Sequence, residues 1–420
     1  MSLSRLGWVA WAGVLTVCAC DAPRVTPETH GVSVQPGPCG RGLVVIESDY
    51  QSTNVSLMGF DGSLLSPSFA SSNTVSSGFG VSLSSDVVVP SSAQLGSNIA
   101  LIDSYPAGVL RFVDLSSAHL SAELSVATGF KSNPHDYLAL SEQHAYVARY
   151  QANKNPGREP FDQGADILVV DPSVPSIVSR IDLAPALAGE STRFSAHPGR
   201  LLRVGERVFA LLAAYADDKF TASVSSRLVE LDPNHDTLLT TLVLDGLHGC
   251  DSLALSPDAL ELAVGCTGDD WEGRPPRLAG SGLALVDITA QPRLSKVVAA
   301  AEVGNTTLGF SLSYAAQNAL VFGTLGYLQE SGTVGAPDAL LVLDTKTGQA
   351  TTVLRSESQP FTLGSVLCAP TCGVCFATDA ERAGGSVLRF PIDAAGVPST
   401  PSVIRVETRI GLPPRYLGAF

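Results

Sequence analysis

Seven side chains able to do chemistry stand near equivalent points of a repeating chain: His135 and Asp136, His197 and Arg200, His248 and Asp251, and Arg415. Imidazole, carboxylate and guanidinium groups alternating around a channel mouth could hold a metal ion, a carboxylate or a sugar. They could equally satisfy one another and channel water, because polar groups lining a tunnel need partners in any case. A second acidic and aromatic stretch, Asp269-Asp270-Trp271-Glu272, could bind calcium or present an aromatic ring to a partner, or be a solvated loop. No GxSxG, HExxH or phosphate-cradling glycine loop is present, so the sequence nominates no catalytic residue and implies no cofactor.

These residues need a scaffold that repeats, and the chain has one. Two or three apolar residues followed by an aspartate recur seven times, ending at Asp61, Asp114, Asp171, Asp232, Asp287, Asp344 and Asp393, at intervals of 49 to 61 residues. That spacing matches a four-stranded propeller blade with generous loops. An aspartate at this point accepts hydrogen bonds from backbone groups two residues on and starts the turn into the next strand. Apolar runs of four to six residues bounded by Gly, Pro, Asn and Ser give the strands. The third unit is the clearest, with Tyr137–Leu140, Ala145–Tyr150, Ile167–Asp171 and Ile177–Ile181 as its four strands.

The first unit, from Leu43 onward, shows only three strands. The tail Pro414-Arg415-Tyr416-Leu417-Gly418-Ala419-Phe420 aligns with Pro134-His135-Asp136-Tyr137-Leu138-Ala139-Leu140, the opening strand of the third unit. The spare strand at the C-terminus therefore completes blade one and closes the ring, leaving no ring-level edge exposed. The expected fold is all-β, a seven-bladed β-propeller over residues 42–420, or six or eight blades if the second unit is misread.

The 420-residue chain is 45% hydrophobic and only 16% charged, with ample apolar material for a large core. Its formal net charge of −14 argues against a nucleic-acid surface, which needs clustered Lys and Arg, and favours a soluble monomer. Residues 1–19 read as a lipoprotein signal peptide, with Arg5, an apolar stretch from Gly7 to Val17, and Ala19 directly before Cys20. Cys20 is the expected lipidation site; an ordinary secretory peptide cut nearby is the alternative. Residues 20–41 then form a proline-rich tether. Export to an oxidising compartment makes the remaining Cys39, Cys250, Cys266, Cys368, Cys372 and Cys375 up to three disulfides. A turn near Pro257-Asp258 places Cys250 opposite Cys266, and a turn at Ala369–Thr371 brings Cys368 within reach of Cys375. That leaves Cys39 for Cys372, with these last two pairings open to exchange.

The repeated apolar-Asp units, together with Ala145-Tyr146-Val147-Ala148-Arg149 and Ile167-Leu168-Val169-Val170-Asp171, resemble the YVTN/YncE-like β-propellers of bacterial cell surfaces. The resemblance implies surface or periplasmic scaffolding and ligand binding, not one defined reaction. The expectation is a binding or scaffold module held to the bacterial envelope by an N-terminal lipid, on its periplasmic face or at the cell surface, with a protein or carbohydrate partner. The competing expectation is a propeller hydrolase or lactonase with a metal at the channel mouth, though which residues would bind that metal is undetermined.

Overall fold

A computed structural model of the chain describes residues 30–73, 78, 82–94, 96–216, 222–269, 274–381 and 385–420. Seven four-stranded antiparallel sheets succeed one another along the chain and form the blades of a β-propeller. The first strands, in blade order, are Pro414–Ala419, Val87–Val88, Pro134–Ala139, Pro198–Val204, Cys250–Leu255, Leu308–Ala316 and Leu363–Ala369. Pro414–Ala419 pairs with Leu43–Ser48 and supplies the missing strand of blade one, as the sequence predicts. The Phe420 carbonyl accepts the N–H groups of Arg41 and Gly42, so the approach to blade one and the closing strand meet at one seam.

The core is seven wedges rather than one mass. Each apolar cluster joins two neighbouring blades, for example Val169 with Val229 between blades three and four, and Val45 with Phe376 across the closing seam. Second and third strands are covered on both sides, which is why Leu43–Ser48 is buried at every residue. Fourth strands face solvent on one side; Arg293–Ala299 alternates exposed and half-buried positions over its first five residues. Even the charged members of this core are paired. Arg149 is fully buried and grips Asp166 through Nε and Nη2, both at 2.8 Å.

The turn aspartates behave as their positions predict. Asp61, Asp171, Asp232, Asp287, Asp344 and Asp393 each accept the backbone N–H two residues on, at 2.9 Å. Asp114 takes the Ser116 hydroxyl and the N–H of Ser117 instead. Hydrogen bonds from Thr289 and Arg293 hold the Asp287 carboxyl down to about 2.

Three disulfides are formed: Cys250–Cys266 across the first two strands of blade five, Cys368–Cys375 in blade seven, and Cys39–Cys372 over 333 positions. The last ties the approach to blade one to the closing blade. A two-stranded ribbon of Tyr327–Leu328 and Val334–Ala336 is inserted in blade six and has no counterpart in the other blades among the described residues. Its strands are too short for the apolar pattern to reveal.

Candidate functional site

First strands from neighbouring blades meet around the axis and enclose a cavity of about 1250 Å³. Where each strand enters the ring, its pairing with the second strand breaks register. In blades one, three, four and five a single residue is skipped: Arg415, His135, Gly199 and Asp251. In blades six and seven the irregularity is wider and spans Gly309–Ser311 and Gly364–Ser365. A bulge leaves the extra residue unpaired and re-aims its side chain. Repeated around the ring, it delivers His135, Asp251, Phe310, Ser365 and Arg415 to one cavity wall, joined by Arg200.

Of the residues nominated from sequence, His135, Arg200, Asp251 and Arg415 line this cavity. Arg200 donates Nε to the Asp251 carbonyl at 3.1 Å and Nη1 to the His135 carbonyl at 3.5 Å, so one guanidinium ties three blades. His135 stacks on Tyr150 with ring centroids 4.2 Å apart. Burial, then the nearby Arg200 and His197, pushes the His135 imidazole down to about 3, so it enters the site neutral. Asp251 lies deep in the ring. Its Oδ1 is buried with no hydrogen-bond partner among the described residues. Burial raises its carboxyl above the usual range, with Arg200 opposing and Asp136 adding to the rise. A Cβ at Gly199 would sit 2.5 Å from that same Oδ1, so glycine is what leaves Asp251 its room.

The other nominated residues serve the frame. Asp136 is fully buried and accepts four hydrogen bonds: Ser91 and Tyr137 N–H on Oδ1, the Ser91 hydroxyl and Leu201 N–H on Oδ2. It pins blades two, three and four together and is not part of the cavity lining. His197 is buried between Tyr150 and Tyr215 at 4.9 and 6.3 Å between ring centroids. His248 is not part of the cavity lining. Its Nδ1 lies 2.8 Å from Ser223 Oγ and 3.2 Å from Asp269 Oδ2, while Ser223 also donates to Asp269. Both partners approach the same ring nitrogen, so this trio cannot relay a proton as a Ser-His-Asp triad does. Burial acts to raise Asp269, but hydrogen bonds from His248 and Ser223 outweigh it and hold the carboxyl below its ordinary range. Asp270, Trp271 and Glu272 lie outside the described residues, as does Cys20. Among the described residues, no three His, Cys, Asp or Glu side chains converge as metal donors.

The sequence reading missed other residues of the cavity border. Tyr50, Asp86, Phe310, Tyr327, Phe361 and Tyr416 all border the cavity. Burial raises the Asp86 carboxyl and pushes the Tyr416 hydroxyl up to about 12. The available signal was an aromatic residue inside a turn-rich stretch, Asp49-Tyr50-Gln51-Ser52 and Gln359-Pro360-Phe361, where packing does not demand one.

No protein-family model and no curated protein matches the chain. Solved structures match its fold. A fungal β-propeller domain from Myceliophteria thermophila superposes with a TM-score of 0.56 at 12% identity, covering 87% of this chain and 98% of that one. A proposed 6-phosphogluconolactonase from Bacteroides fragilis gives 0.55 at 11% identity, with 89% and 96% covered. Hydrazine synthase of Kuenenia stuttgartiensis gives 0.52 at 13% identity, with 87% and 99% covered. Identities this low establish shared architecture, and architecture does not carry function.

Proposed function

We propose that the chain is a lipid-anchored protein of the bacterial cell envelope whose propeller binds a small polar ligand at the mouth of its axial cavity. The observation that carries the reading is Asp251. A carboxylate held deep in the ring, with one oxygen lacking a hydrogen bond, costs stability, and structures keep such groups where a ligand uses them. The bulges support the same reading, because they bring side chains from five blades to a large, partly apolar cavity. A family position among YVTN/YncE-like surface propellers is consistent with this role and is part of the proposal.

Two measurements test the two halves. Thermal-shift screening of the full chain in mild detergent, against organic acids, saccharides and amino acids, should yield at least one stabilising compound. Asp251→Asn should abolish that stabilisation; a panel that leaves the melting point unmoved would sink the binding reading. For the anchor, Cys20→Ser should shift the chain from the membrane to the soluble fraction, and unchanged membrane retention would remove the lipid from the account. Among the described residues no helix is long and apolar enough to cross a membrane.

A further inference from the structure

We infer that the ligand of the channel mouth is an acidic saccharide, a uronic-acid-bearing sugar held between two aromatic rings and the arginines beside them. This rests on the binding reading above and adds the chemical class of the ligand. Tyr50 and Phe361 flank the mouth from blades one and seven, 62% and 45% exposed. Both are bulky residues in left-handed backbone, at φ 64° and 63°. Such conformations persist only where the surroundings enforce them, and they cluster at ligand clamps.

The surroundings here are explicit. Asp338 is fully buried and accepts the N–H groups of Phe361 at 2.9 Å, Thr362 at 2.7 Å, Leu363 at 3.0 Å and Gly326 at 2.7 Å. It locks the segment that presents the Phe361 ring. Tyr50 donates its N–H to Ser48 Oγ at 3.0 Å. Arg415 links the two segments that carry the rings. Its guanidinium lies 5.0 Å from the Tyr50 centroid, Nε donates to the Ser48 carbonyl at 3.3 Å and Nη1 to the Phe361 carbonyl at 3.3 Å. The two rings and the cation are therefore one preorganised unit. Phe310, 40% exposed and set out by the blade-six irregularity, adds a third ring to the same cavity.

Exposed rings held in place offer flat apolar faces, and a sugar ring presents a flat C–H face to match. Sugar hydroxyls are paired donors and acceptors, which suits a cavity lining that carries the Asp251 carboxylate beside the Arg200 guanidinium. The charge balance selects for acid. Arg200, Arg274 and Arg415 line the cavity against Asp86 and Asp251, an excess of cations in a chain of net charge −14. Arginine is the side chain suited to carboxylate recognition. A small organic acid would use the arginines and leave the rings idle, and a neutral sugar would do the reverse.

The test is isothermal titration of the full chain in mild detergent with a galacturonic acid trimer, the matching neutral galactose trimer and citrate. The acidic trimer should bind at least tenfold more tightly than either comparator. Phe361→Gly keeps the backbone N–H and C=O and suits a positive φ. It should weaken the trimer at least tenfold while leaving the melting temperature level or higher. Arg415→Gln should erase the preference for acidic over neutral trimer. Equal binding of the two trimers would overturn the inference, as would acidic-trimer binding that Phe361→Gly leaves intact. If citrate or another non-saccharide binds, the trimer does not, and Asp251→Asn abolishes that binding, the saccharide class falls while the binding reading stands. If no compound in either panel binds, both fall.

Discussion

Aspartates mark two regions of this molecule, and they live under opposite conditions. On the outer turns, seven of them recur with the blades, and each accepts N–H or hydroxyl groups from within four residues of itself, with Asp287 also taking Arg293 six residues on. Six of the carboxyls there, Asp61, Asp114, Asp171, Asp232, Asp287 and Asp344, are held low mainly by these local hydrogen bonds. Around the axis, Asp136 is satisfied by four donors drawn from three blades, and Asp251 has one oxygen with none. Both axial carboxyls are raised by burial. The same side chain thus serves as a local turn former at the rim, as an inter-blade pin in one axial position, and as an under-satisfied group facing a cavity in another. Only the last is hard to explain by folding alone.

The sharpest break of that comparison is at the pin. Asp136→Asn exchanges an acceptor for a donor against Leu201 N–H and the Ser91 hydroxyl. It should cost about 3 kcal/mol, because buried donors are left facing an amide hydrogen. Chemical denaturation of variant and parent checks it, and a loss no larger than at a rim position would show that the pin is dispensable.

The next largest effect is on binding rather than stability. Gly199→Ala puts a methyl group 2.5 Å from Asp251 Oδ1 and must displace that carboxylate. Affinity for a mouth ligand should fall at least tenfold with no charge altered. Asp251→Asn should lose binding too, yet melt at least as high as the parent at neutral pH. Its raised carboxyl contributes stability that is complete below its unfolded value and is lost as pH rises through the folded one. A variant less stable than the parent would make Asp251 part of the frame.

Glu47 sharpens the contrast from behind the mouth, one residue beyond the Arg415 bulge in the register of blade one. It is fully buried, and burial pushes its carboxyl up to about 8. Ser56 Oγ both contacts Glu47 Oε1 and donates to the Pro67 carbonyl at 2.7 Å, which suits a protonated Glu47 giving its hydrogen to Ser56. The raised value means that Glu47 stabilises the fold fully below pH 4.5 and loses that contribution as pH climbs toward 8. The slope is roughly 1.4 kcal/mol per pH unit. Glu47→Gln should flatten this part of the profile, as unfolding midpoints from pH 5 to 8 would show. An unchanged slope would assign the pH dependence elsewhere.

The smallest effect belongs to the rim. Asp171→Ala removes only local turn hydrogen bonds to Ser173, so its melting shift should be the least of these, and shifts from distant blades should add. A rim substitution that matches the loss at Asp136 would erase the distinction between the two regions.

Much of the ring was legible because its determinants are local. The Asp turns, the buried strand runs and the paired Cys250 and Cys266 each follow from residues within one hairpin. The closing strand was legible as well, since Pro414–Phe420 repeats a pattern seen at Pro134–Leu140. At the mouth, His135, Arg200, Asp251 and Arg415 could be nominated by position, but nothing local separates them from Asp136, His197 and His248, which face the frame. Tyr50 and Phe361 were missed because their role depends on backbone held at positive φ by Ser48 and Asp338, across turns whose conformation the apolar pattern does not encode.

The sequence by itself determined that this chain repeats, how long the repeat is, and that its last strand must join its first blade. Periodic apolar runs and turn formers act over a few residues, so a reader of the chain can follow them. Only the tertiary structure decided which polar residues share a cavity. Arg415 meets Ser48 across 367 positions, and Arg200 joins His135 to Asp251, because bulges turn single residues out of separate strands toward a common axis. That convergence is a property of ring closure, which is set by the packing of whole blades and not by the residues it brings together.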